Sequence, residues 1–232
     1  MDERYDMMRA VRDKRFKYIR NYEPWKPWDQ FMNSAELSPI KQELNRIEAA
    51  GALPAGAVWA AAGHKPPEEL YDTASDPHEL NNLVGDALNA DTLARMRAAQ
   101  EAWLLESRDL GLLPEAELNR LGKAHGTRYD IWNAVAGEDP AFWATLRDTA
   151  VLAGSPKAED AARLLAAAAS PQPALRWWAL MGLGNLPGVS RPALDALKAG
   201  MSDASATVRG AAALSAARQG ATPTAFVPGA AF

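Results

Sequence analysis

The sequence predicts an α+β N-terminal part, a small antiparallel sheet with packed helices, followed by an all-α helical-repeat segment. Three observations predict it. β-branched and aromatic residues from Tyr5 to Tyr22 flank a polar turn, the pattern of a β-hairpin. From about Leu112 onward alanine dominates and strand signals vanish. The last third matches itself at an offset of 33 residues, a period that signals stacked pairs of helices.

In the hairpin, Val11 precedes and Phe16, Tyr18, Ile19 and Tyr22 follow an Asp13-Lys14 turn, which lacks the Asp-Gly of the strongest hairpin signal. Its recurring Lys and Arg read as a solvated sheet face, with anion binding as the rival reading. Pro24-Trp25-Lys26-Pro27-Trp28 is too proline-rich for a regular element and reads as a loop, its tryptophans either a satellite core or a stacking rim. Ser38-Pro39 opens a helix, with Ser as cap and Pro where its missing N–H costs nothing. Ile40, Leu44 and Ile47 make its apolar stripe and Gly51 its stop.

An Ala-rich stretch leads to Glu69-Leu70-Tyr71-Asp72, read as a short strand. In Asp76-Pro77-His78-Glu79, Asp76 is expected to cap a turn that Glu79 closes from N3. A Ca²⁺ loop from Asp72, Asp76 and Glu79 would need alternating ligands and a central Gly that the sequence lacks. Asp91 is expected to cap a longer helix whose one face holds Leu93, Met96, Ala99 and Trp103. The composition shift places the domain boundary at 122/123, with Gly122 to Thr127 as the joint.

In the repeat, Leu164 falls on Leu197, Ser170 on Asp203, Leu175-Arg176 on Val208-Arg209 and Ala179 on Ala212. The pattern resembles HEAT-type repeats, with a helix around Phe142, Trp143, Leu146 and Leu152 as a cap. Of the adjacent Trp177 and Trp178, one is expected to enter the core. Residues 123–220 form this segment and 221–232 a frayed tail.

Bulk chemistry excludes several function classes. Lys and Arg number 25 against 29 Asp and Glu, a formal charge of −4 with no concentrated basic face, which argues against nucleic acid or an anionic membrane as partner. There is no cysteine, so disulfides, thiol catalysis and thiolate metal sites are excluded. No apolar run approaches the roughly 18–20 residues of a membrane span. The acidic N-terminus is no secretory signal. A chain that enters strand-like sequence so early is expected to be cut from something longer.

The first ~125 residues resemble the C-terminal subdomain of bacterial sulfatases, sulfuric ester hydrolases of the alkaline-phosphatase-like superfamily. The resemblance is carried by Asp2-Glu3-Arg4-Tyr5-Asp6, Arg9-Ala10-Val11-Arg12-Asp13 and Lys17-Tyr18-Ile19-Arg20-Asn21-Tyr22. Lys65-Pro66 follows, then Glu68-Glu69-Leu70-Tyr71-Asp72, Asp76-Pro77-His78-Glu79, Asn81-Asn82-Leu83, and Arg108-Asp109-Leu110-Gly111 with Leu113-Pro114-Glu115. It implies a small sheet and helix docked on a large α/β catalytic domain that hydrolyses a sulfate ester with a formylglycine, made from Cys or Ser, and a Ca²⁺ ion.

That machinery is not expected in this chain. The modification motif Cys/Ser-x-Pro-x-Arg has only the decoy Ser190-Arg191-Pro192-Ala193-Leu194, with Leu in place of Arg. The chain is therefore expected to hold no catalytic residue or metal ligand, to be inactive alone, and to have the missing N-terminal catalytic domain as its partner. The parent enzyme is expected in the periplasm or outside the cell. Asn21, Trp25, Trp28, His64 and Lys65 are the candidate substrate-rim residues, the cations for an anionic sulfated ligand and the indoles for sugar rings. The family often has His where Trp25 stands and an aromatic such as Tyr where Trp28 stands. The alternative is a helical-repeat module that binds a protein partner with no enzymatic role. An exposed apolar patch on the hairpin is expected to favour association.

Overall fold

The computed structural model describes residues 5–188 and 190–220. It divides into two compact units, Met1–Glu106 and Ser107–Phe232, so the division by contact falls ahead of the composition shift. The fold class is as read: a three-stranded antiparallel sheet first, then helices. The predicted frayed tail lies outside the described residues.

In the first unit β1 (Met8–Arg12) and β2 (Phe16–Asn21) form the hairpin, with Val11 opposite Tyr18. Their turn closes on Asp13, whose Oδ1 accepts the N–H groups of Arg15 at 2.8 Å and Phe16 at 2.6 Å. This carboxylate substitutes for the missing Gly by tying the loop backbone down. β3 (Glu68–Asp72) pairs antiparallel with the other side of β2, setting Leu70 opposite Tyr18. The outer edge of β3 meets a side chain: Asn82 Oδ1 accepts from Leu70 N–H at 3.0 Å and its Nδ2 donates to Glu68 O at 3.0 Å. An amide thus occupies backbone groups that a bare edge would offer to another strand.

One sheet face carries α3 (Ala90–Glu106), whose Leu93 and Met96 pack on Tyr18 and Leu70, with Val11, Phe16, Leu83 and Val84 around them. A 3₁₀ turn, Ala87–Asn89, leads into α3, and Asp86 accepts from Leu88 N–H at 2.9 Å. The cap is therefore Asp86, and Asp91 lies in the first turn of α3. Two short helices, α1 (Asn33–Glu36) and α2 (Pro39–Ala49), follow the tryptophan loop, and neither has a buried residue. Ile40, read as part of a packed stripe, is 82% exposed. Gly51, at φ 64°, ends α2 in the left-handed conformation expected of it.

The second unit runs α4 (Glu115–His125), α5 (Arg128–Glu138), α6 (Phe142–Gly154), α7 (Ala161–Ala168), α8 (Pro173–Asn185), α9 (Arg191–Gly200) and α10 (Ala206–Arg218). The break between α4 and α5 falls at Gly126, at φ 98°, and Thr127 with Asp130 forms a reciprocal capping box. α8 is the central helix and packs on α6, α7 and α10. Close approach depends on small residues: a Cβ on Gly184 would stand 2.5 Å from Ser215 Cβ, and one on Gly182 2.7 Å from Leu164 Cδ2. Trp178 is fully buried and donates to Leu112 O at 2.8 Å, while half-buried Trp177 meets it edge-on.

The offset of 33 has a geometric counterpart. Arg176 Nη1 donates to Ser170 O and Pro171 O, both at 2.9 Å. Arg209 Nη1, at the equivalent position, donates to Asp203 O at 2.7 Å and Ala204 O at 3.1 Å. Each arginine closes the turn ahead of its own helix. Asp203 joins the two turns, taking a bidentate pair from Arg176 at 2.7 and 2.8 Å.

Candidate functional site

The first unit carries an open cleft of about 750 Å³ beside the sheet, lined in part by Trp28, Trp59, His64, Lys65, Tyr71 and His78. Its size is that of ordinary small-molecule sites, about 300–1,000 Å³. The loop after β2 supplies Trp28, the 3₁₀ turn Ala55–Ala61 supplies Trp59, the approach to β3 supplies His64 and Lys65, and the turn after β3 supplies His78. The strand itself presents Glu69 and Tyr71.

Of the five sequence candidates, the structure brings Trp28, His64 and Lys65 to the cleft. His64 is exposed. Lys65 has no exposed side-chain surface, and its ammonium is paired with Asp6. Asn21 stands behind the wall, 1% exposed, where its Nδ2 donates to Glu69 Oε1 at 2.6 Å and to Pro66 O at 2.8 Å. Its Oδ1 is buried and meets no donor among the described residues. Trp25 is half-buried and does not line the cleft.

Glu69 is the buried carboxylate at the back. Tyr71 Oη donates to its second oxygen at 2.6 Å, so both oxygens are occupied. Burial and this carboxylate push the Tyr71 phenol far above its ordinary range, keeping it protonated as a donor. Nearby, burial raises the pKa of Glu23 despite the Lys26 ammonium at 2.8 Å. On the packed side of the sheet, Glu68 receives Arg97 through two bonds of 2.5 Å, Arg20 at 2.9 Å and Tyr18 Oη at 2.6 Å. That group is saturated and serves the core.

Trp59 and His78 were not singled out from the sequence. Trp59 is a lone aromatic in an Ala-rich stretch, and His78 sits in a motif that local capping explains. The capping reading of that motif is corrected by the structure: Asp76 Oδ2 accepts from Asn81 N–H at 2.8 Å, and Glu79 takes φ 57° and pairs with Lys17 at 2.7 Å. No helix starts there, because Glu79 is drawn to a cation on β2 rather than back to Asp76.

Among the described residues no group of three or more His, Asp or Glu could hold a metal ion, so the Ca²⁺ that the resemblance implies has no fit here. With no cysteine in the chain, a formylglycine could come only from serine. No described helix is long and apolar enough to cross a membrane.

Fold and cleft together define the class: a small α+β module with an aromatic-walled cleft, followed by an all-α segment. No family model matches the chain. Over 128 residues, 55% of its length, the chain is 41% identical to an ulvan-active sulfatase of Formosa agariphila. It spans 22% of that protein, so the similarity covers about a fifth of a longer sulfatase.

Proposed function

We propose that this chain is the C-terminal, non-catalytic portion of a sulfatase-type sulfuric ester hydrolase, completing the fold and pocket rim of a catalytic domain. The observation that carries the reading is the 41% identity over 128 residues to a sulfatase. The hairpin, β3 and α3 give a rigid platform, and the cleft wall of Trp28, Trp59 and His64 is the part suited to touching substrate. Formylglycine and Ca²⁺ would belong to the catalytic domain and supply the ester-cleaving chemistry there. The residues of this chain position, shield and bind. A sulfated carbohydrate is the substrate class this reading implies, because partly exposed indoles suit sugar rings.

The helical segment is read as paired HEAT-like repeats, α7 with α8 and α9 with α10, α6 closing one end. Its support is the arginine clamp repeated at Arg176 and Arg209.

The chain alone is expected to leave p-nitrophenyl sulfate intact with Ca²⁺ present. A longer product of the same reading frame, carrying a Cys/Ser-x-Pro-x-Arg motif, is expected to hydrolyse it. Turnover by the 232 residues alone would overturn the reading.

A further inference from the structure

We infer that the cleft between the Trp28 loop and the 55–61 turn is a carbohydrate site that takes a neutral pyranose unit, not the sulfate-bearing one. The inference deepens the sulfatase reading and rests on it only for where such a sugar would be met; the site itself is argued from its lining.

A pyranose presents a C–H face and a rim of hydroxyls. The cleft offers surfaces for both. Trp28 is half-buried and Trp59 is 47% exposed, so indole surface is available without any rearrangement of the core. His64 and His78 are exposed at the same cleft, and neither is hydrogen-bonded to another described residue. Imidazole nitrogens present polar ring positions at the cleft, which suit hydroxyl groups that both give and take hydrogen bonds. Tyr71 and Asn82 are already engaged, with Glu69 and with the β3 backbone, and hold the wall in place.

Charge decides which sugar. The lining ammonium, Lys65, lies against Asp6 with no exposed side-chain surface. The lining carboxylate Glu79 is neutralised by Lys17 at 2.7 Å, and Glu69 is a further buried negative group. Among the described residues that line the cleft, no Lys or Arg is left to receive an anion. A sulfate placed here would lose water without gaining a lysine or arginine, and would lie near the buried Glu69 carboxylate. Neutral hydroxyls meet no such cost.

The test is calorimetric titration of the full chain at pH 8 with neutral tetrasaccharides of galactose, xylose and mannose, and with the same sugars after chemical sulfation. At least one neutral sugar is expected to bind, and Trp59→Ala to weaken it about tenfold or more. Trp59→Phe, which retains an aromatic face, is expected to keep most of the affinity and controls for folding. The sulfated forms should bind more weakly than their parents. No binding by any neutral sugar, tighter binding of the sulfated forms, or indifference to Trp59→Ala would each overturn the inference. None of these results bears on hydrolysis, which tests the sulfatase reading separately.

Discussion

Lys65 shows how a single residue can be misjudged from its neighbours alone. In sequence it sits in a polar loop beside His64, and either a surface charge or an anion contact fits. Its partner, Asp6, is 59 residues away, and the pairing of β2 with both β1 and β3 brings the two segments together. Removing a buried cation leaves its carboxylate uncompensated, so Lys65→Ala is expected to cost about 3 kcal/mol or more in urea unfolding. Lys65→Met, which keeps the stem but not the charge, should also destabilise. Asp13 makes the second residue-scale prediction. The N–H groups of Phe16 and Arg15, with Arg95, hold its pKa at about 2, below the ordinary 3.8. A depressed carboxylate contributes stability that is present above its unfolded pKa and lost as pH falls through the folded one. The urea midpoint should therefore fall between about pH 4 and pH 2, and Asp13→Asn should flatten part of that slope.

Elements whose determinants are local were legible. The hairpin follows from its side-chain pattern, the stop at Gly51 from a glycine after an apolar stripe, and the helices after Leu112 from composition. Elements fixed by distant partners were not. Asp76-Pro77-His78-Glu79 has the spacing of a capping box, yet Lys17, 62 residues away, takes the glutamate. Trp59 went unnoticed because an Ala-rich stretch gives no periodicity, and its place at the cleft depends on the turn that carries it. In the helical unit the glycines of α8 carry no local signal, although Gly184 sets how near α10 can come. Gly184→Ala should lower the thermal stability of this unit, with a cost of about 1–3 kcal/mol from overpacking. Arg176→Ala should cost about 2 kcal/mol, because it frees two carbonyls and Asp203 together. Arg209→Ala, which frees two carbonyls but breaks no hydrogen bond to the Asp203 side chain, should cost less. Equal effects would argue that the Asp203 bridge is idle.

At the scale of the molecule, the first unit leaves much apolar surface in water. Phe31 is 73% exposed, Leu37 78% and Ile40 82%, all near α1 and α2. The most exposed apolar side chains thus lie on or beside the helices after the hairpin, while Tyr18 and Tyr22 of the hairpin are buried. Large exposed apolar patches mark interaction surfaces or association. Sedimentation should show concentration-dependent self-association, reduced in a Leu37→Glu, Ile40→Glu double variant.

This chain is proposed to serve as part of a sulfatase. Its most direct test is a graft: the segment of the Formosa agariphila sulfatase that aligns with this chain is deleted, or replaced by the matching 128 residues. Sulfatase activity on ulvan should be lost in the deletion and restored in the graft. A folded graft as inactive as the deletion would contradict the account.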